Sequence, residues 1–256
     1  MPFQKIESEK LSQSVVRQIE ALILQGILRP GERLPSEREL SERMEVSRPS
    51  LREAIAELEA AGLVVTRPGS GIYVADVLGS AFSPALIRLF SAHDEAVSDY
   101  VAFRRDMEGL AADRAARFGS DTDHAVIDSV WQKMQAAHAK RDPSDEAALD
   151  AEFHMAIIEA GHNVVMLHMM RSMFQMLREG VFYNRQLLFR QRQTREDLLA
   201  QHRAIRDGIL ARDPAAARAA VEAHMDFVQS NLADLRRADR REDVARLRLQ
   251  QEQARG

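Results

Sequence analysis

Asp150 and His154 lie four residues apart in the segment ALDAEFHMAI. That spacing sets a carboxylate and an imidazole on one face of a helix, where both can meet one cation. His202 in LLAQHRAI and His224 in VEAHMDF fall on two later helical stretches, each flanked by apolar residues expected to face inward. Helical bundles assemble metal sites from inward-facing side chains in this way. The competing reading of the same residues is a hydrogen-bonded Asp–His pair, with the other two histidines in packing roles. The chain has no cysteine, so disulfides, thiolate zinc fingers, iron–sulfur clusters and Cys nucleophiles are excluded. Any metal must therefore be held by His and carboxylates.

A second set of residues suggests a different chemistry. Arg48 and Arg52 are four apart at the start of a helical stretch, with Pro49 and Ser50 between them. Projecting from the start of a recognition helix, such guanidinium groups can take guanine O6 and N7 in the major groove. Arg38, near the start of the preceding helix, and the Arg67 to Ser70 turn with Gly69 are placed for phosphate or minor-groove contact. The alternative for Arg52 is a local ion pair with Glu53 or Glu57. The net charge of −4 and a pI near 6.1 speak against nucleic acid when read as one number. Divided along the chain, residues 1–76 hold 10 basic and 12 acidic side chains, and residues 236–256 hold 7 and 4. A local arginine patch can bind phosphate inside an acidic segment.

The elements that must carry these residues are legible from caps and periodicity. Val15, Ile19, Leu22 and Ile23 recur at helical spacing over 11–25. Ser36 with Glu39 makes a capping-box pattern, and Ser47 opens a third helix with Leu51, Ile55 and Leu58 on one face and Gly62 as its stop. LVVT and IYVA, joined by RPGSG, read as a hairpin. Three helices and a hairpin within residues 1–76 predict a winged helix-turn-helix. Residues 77–96 read as a linker with one short apolar segment, ALIRLF. Helices are expected over 97–118, 122–140, 145–161, 164–188, 195–212 and 214–235, forming an antiparallel all-α bundle. His162 and Asn163 close one helix and cap the next. Residues 236–256 are expected as a charged tail, either a frayed helix or disordered. The fold class is thus mainly α, with 45% hydrophobic and 29% charged residues, as in a soluble globular protein. No signal peptide or long apolar run is evident, so a cytoplasmic location without membrane contact is expected.

The segment GILRPGERLPSERELSERMEVSRPSLREAIAELEAAGLVVTRPGSGIYV resembles the DNA-binding domain of the GntR superfamily of bacterial transcription regulators. The resemblance implies that Arg38, Arg48 and Arg52 contact operator DNA and that the wing glycine, Gly69, enters the minor groove. Residues 97–235 resemble the all-α FCD effector domain of the FadR branch. That resemblance implies a divalent cation on Asp150, His154, His202 and His224; three imidazoles and a carboxylate suit zinc or nickel better than magnesium. Arg104 in FRRDMEG matches the arginine of the family's R-x-x-L-E pattern, with Met107 in place of leucine and Glu108 kept. It is implied as a clamp for the effector's carboxylate, the alternative being an Arg104–Glu108 pair on the helix surface.

The expectation is a homodimeric regulator, a repressor, that binds a pseudo-palindromic double-stranded operator. Its operator affinity would respond to a small carboxylate such as lactate, pyruvate or glycolate at the metal. Two alternatives remain at this stage. One is a metal-dependent hydrolase, although no HExxH, nucleophile elbow or phosphate loop is present. The other is a regulator whose metal is purely structural.

Overall fold

The computed structural model describes residues 10–76, 84–140, 144–178, 188–189, 192–253 and 255. The chain divides between residues 81 and 82 into two compact units.

In the first unit α1 (Leu11–Leu24) buries Val15, Val16, Ile19 and Ile23. These pack with Leu51, Ala54, Ile55 and Leu58 of α3 (Arg48–Ala60) and with Leu40 of α2 (Glu37–Arg43) in one apolar cluster. Each short helix begins where a serine satisfies an otherwise orphaned backbone donor. Ser36 accepts from the Glu39 amide and Ser47 from the Ser50 amide, both at 3.3 Å. The expected capping box at Ser36 forms in that half, while the Glu39 carboxylate engages Arg43 at 2.6 Å. Between α2 and α3 the chain turns through Glu45, at φ 53°. Strands β1 (Val64–Arg67) and β2 (Gly71–Val74) pair antiparallel, with Val64 opposite Val74 and Arg67 opposite Gly71. The Gly31–Leu34 stretch lies along the other edge of β2, where Gly31 N donates to Val74 O and Leu34 N to Ile72 O. That covers an edge which would otherwise be open to other strands.

The second unit holds α4 (Pro84–Ala92), α5 (Asp94–Phe118), α6 (Asp121–His138), α7 (Ser144–Ala160), α8 (Val164–Arg178), α9 (Arg192–Leu210) and α10 (Pro214–Gln253). Helix α10 packs on α5 and α9, α5 on α7, and α7 on α6 and α8. The shared core includes Ile127, Phe153, Ile157, Met170, Ile205, Val221 and Met225. Asn163 caps α8 as expected, its side-chain oxygen accepting from Met166 N at 3.0 Å, and His162 takes the left-handed conformation at φ 48°.

Two expectations change, and part of a third lies outside the described residues. The stretch 77–96 contains α4 and the start of α5, because ALIRLF has enough apolar surface to seat Ile87 and Phe90 on the core. Within 164–188, α8 is described to Arg178, and 179–187 lie outside the described residues. The charged tail continues α10 as helix to Gln253, since it contains neither Gly nor Pro over 236–253. No helix among the described residues is long and apolar enough to cross a membrane.

Candidate metal centre and nucleic-acid interface

In the second unit, three helices bring the four suspected ligands together. Asp150 and His154 come from α7, one turn apart, His202 from α9 and His224 from α10. Their ligand atoms all lie within 4.8 Å of one another, and all four side chains are buried. His202 Nε2 is 3.1 Å from Asp150 Oδ1 and 3.3 Å from His154 Nε2, and His154 Nε2 is 3.8 Å from Asp150 Oδ1. Ligands held about 2.0–2.2 Å from one tetrahedral cation stand roughly 3.4 Å apart, which these separations match.

Groups behind the ligands set the imidazole tautomers. His154 Nδ1 is 2.6 Å from Glu108 Oε2, and His224 Nδ1 is 2.9 Å from the side-chain amide oxygen Oε1 of Gln201. An N–H on each Nδ1 leaves each Nε2 with a lone pair directed into the cluster, as carboxylate–histidine–metal triads require. Two such lone pairs cannot hydrogen-bond to each other. The 3.3 Å approach of His154 and His202 therefore needs a proton or a cation between them. Burial, followed by the neighbouring imidazoles of His202 and His154, holds the His224 pKa well below its usual value, so its ring is a neutral ligand. Burial likewise lowers His154, against the opposing pull of Glu108. The edges of the His154 and His202 rings meet Phe153, at centroid separations of 5.9 and 5.3 Å, which fixes their planes. The donor set and its spacing fit a divalent cation of the zinc class.

Arg104 is 2% exposed and its Nε donates to Glu108 Oε1 at 2.5 Å. The pair expected for a helix surface thus exists, but inside the core. Its guanidinium lies 4.9 Å from the Phe174 ring centre and 5.9 Å from that of Tyr100. Burial alone would raise the Glu108 pKa, but Arg104 and His154 outweigh it and lower the value to about 2. The Arg104–Glu108 ion pair accordingly leads, through His154, to the cluster. Glu108, Gln201, Phe153 and Phe174 complete a setting that sequence spacing did not assign. The one available signal was Glu108, four residues after Arg104.

In the first unit, Arg48 is the first residue of α3, exposed, and among the described residues has no acidic partner. Pro49 and Ser50 occupy the same first turn, and Ser50 Oγ is 2.9 Å from Ser47 Oγ. Arg52, one turn on, pairs with Glu37 of α2 at 2.8 Å rather than with Glu53 or Glu57. That pair is exposed and exchangeable, so the guanidinium can leave it for a base or phosphate. Arg38 is exposed beside Glu42 at 3.9 Å. Arg67 ends β1 with its guanidinium 4.5 Å from the Tyr73 ring centre, which props the arginine at the base of the wing. Gly69 forms the exposed wing turn at φ 73°, a conformation open to glycine at little cost. Its surroundings would admit a Cβ, so backbone conformation rather than space calls for glycine there.

The sequence matches the gntR family of bacterial regulatory proteins over residues 11–74 and the FCD domain over residues 99–227. The chain belongs to the GntR family, with an FCD effector domain. It is 33% identical to the Glc operon transcriptional activator of Escherichia coli K12, over 90% of this chain and 92% of that protein. It is 29% identical to the HTH-type transcriptional regulator LutR of Bacillus subtilis, over 83% and 96%. A third relative, 34% identical over 87% and 86%, is named for an L-lactate dehydrogenase operon regulatory role in Escherichia coli K12. A solved GntR protein of Streptococcus agalactiae shares the fold, with TM-score 0.52 and 24% identity over 86% of this chain and 99% of that one. This GntR-family chain is a DNA-binding transcription regulator and not an enzyme, which sets aside the hydrolase alternative.

Proposed function

We propose that this GntR-family regulator holds a divalent cation of the zinc class on Asp150, His154, His202 and His224, and that a small carboxylate bound beside it alters operator affinity. The observation that carries the reading is the convergence of four buried ligands, two of them, His154 and His224, with a polar group behind Nδ1. When bound, the cation supplies positive charge with coordination positions open to an oxygen ligand. The protein side of the balance favours an anion. Glu108 neutralises Arg104, and Asp150 is the one anionic member of the ligand set, so a divalent cation leaves that set with an excess positive charge. Arg104, fixed by Glu108 and Phe174, presents a planar donor group whose shape matches a carboxylate. The effector class we favour is a 2-hydroxy or 2-oxo acid such as lactate, glycolate or pyruvate. The relative named for an L-lactate dehydrogenase operon supports that choice.

For DNA, the reading assigns Arg48 and Arg52 to base edges in the major groove, with Pro49 and Ser50 in the same helix turn. Arg38 and Arg67 take phosphate, and Gly69 takes the minor groove. One helix-turn-helix reads a half-site, so the acting species is a homodimer on a pseudo-palindromic operator. Repression is the proposed sign. In vitro transcription that rises on adding the protein would instead make it an activator, the role named for one relative.

Native mass spectrometry with metal analysis, on protein purified without chelator, should find one cation per chain, lost in Asp150→Ala. Operator titration of the loaded protein should then shift roughly 5- to 150-fold with one of the three acids. If none of them, nor chelation, changes operator affinity, the effector mechanism fails. Should the cation raise the melting temperature with no further shift from any acid, its role is structural.

A further inference from the structure

Helix α10 outlasts everything it packs against. Its last buried residue is Leu232, Leu235 still rests on the core, and every residue from Arg237 to Gln253 is exposed. At 1.5 Å per residue that is about 25 Å of helix with no packing role. The FCD match ends at residue 227, so this segment lies beyond the family domain.

Charge is sorted around it. At about 100° per residue, Val221, Met225, Val228, Leu232 and Leu235 define the bundle-facing side, and continuing that side outward meets Asp239, Glu242, Asp243 and Arg246. Arg237, Arg240, Arg241 and Arg248 fall on the other side, within an arc of about 100° shared with Val244 and Gln251 and no acid. Arg237 is paired with Asp234 and Arg246 with Glu242. Arg241 and Arg248 have no acidic partner among the described residues. Arg241 and Arg248, two turns apart on this face, are therefore guanidinium groups open to an outside anion.

We propose that this arginine face of α10 is an auxiliary DNA-contact surface that takes duplex phosphates without reading sequence. Guanidinium groups suit phosphate oxygens, and DNA is the polyanion this family binds. A membrane surface would require an apolar face, and Val244 is the sole apolar residue in the arc.

The test compares the full chain with R241Q/R248Q, by anisotropy on a long random-sequence duplex between 50 and 200 mM salt. Circular dichroism should show unchanged helix content. The slope of log affinity against log salt should flatten by about 2 in the double variant, from about 0.9 per phosphate contact. R241K/R248K should retain most of the slope, and D239N/D243N should leave it no shallower. An unchanged slope in R241Q/R248Q overturns the proposal. So does a change in sedimentation behaviour without a change in DNA binding, which would assign the face to a protein contact. The family reading is tested independently by Arg48→Ala.

Discussion

Glu108 meets Arg104 with one oxygen and His154 with the other, so a single carboxylate balances a buried cation and orients a ligand. Removing its charge should affect both. Glu108→Gln is expected to weaken cation affinity about 10- to 100-fold, measured by competition with a chromophoric chelator, because the carboxylate behind a ligating histidine is lost. Retained affinity would mean that the His154 ring is held by packing against Phe153 alone. Asp123 provides a titration at the residue scale. It completes a capping box with Ser120 at the start of α6 and also meets His162 Nε2 at 2.9 Å. Burial alone would raise its pKa, but the hydrogen bonds from Ser120 and His162 lower it below its usual 3.8. Its contribution is therefore complete above about pH 4 and disappears as pH falls through the folded-state value. Asp123→Asn should cost about 1 kcal/mol at neutral pH in denaturant melts, and the difference from wild type should shrink in acid. A difference that grew on acidification would contradict this sign.

At the scale of elements, the bundle sets ligand geometry by how closely its helices approach. Gly208 of α9 lies against α10, where a Cβ would come within 2.8 Å of Ala217 N and 2.9 Å of Ala217 Cα. Backbone cannot yield as a flexible side chain can. Gly208→Ala should therefore destabilise by roughly 1–3 kcal/mol by thermal or chemical melting, despite alanine's better helix propensity. It should also loosen the cation site, since His202 on α9 and His224 on α10 are held by the same pair of helices. A neutral or stabilising result would show that α9 and α10 can separate freely. Local signals predicted most of these elements well. Serine caps at 36 and 47, the RPGSG turn and Asn163 act on backbone donors only a few residues away. Helix α4 was missed and the extension of α10 left open, for opposite reasons. ALIRLF was too short for its period to stand out until the core covered it, and the tail had helix propensity without an apolar face.

At the scale of the molecule, two units with separate cores divide the labour. Base-reading candidates belong to one and the proposed cation ligands to the other. Arg48→Ala is accordingly expected to lose roughly 1–3 kcal/mol of operator affinity in anisotropy titrations while leaving occupancy of the proposed cation site unchanged. Equal loss on operator and random DNA would mean that Arg48 touches phosphate rather than a base. The net charge of −4 never described either unit. It sums an acidic FCD region, a mildly acidic reader and a basic helical extension.

What the sequence determined alone was everything carried by neighbours in the chain: cysteine-free chemistry, capped helices, the wing turn, and Asp150 with His154 on one face. It also marked His202 and His224 as inward, because helical period reports which side of a helix is buried. Tertiary structure decided which distant groups share that interior. Glu108 is 46 residues from His154, and Arg52 finds Glu37 across a helix–helix turn rather than an acid on its own helix. Spacing along one helix cannot encode such pairs, since they depend on how two helices are rotated and set against each other. For the same reason the Arg104–Glu108 pair looked like a surface contact from its i,i+4 spacing. Only the packing of α5 in the bundle made it a buried charge beside the cluster.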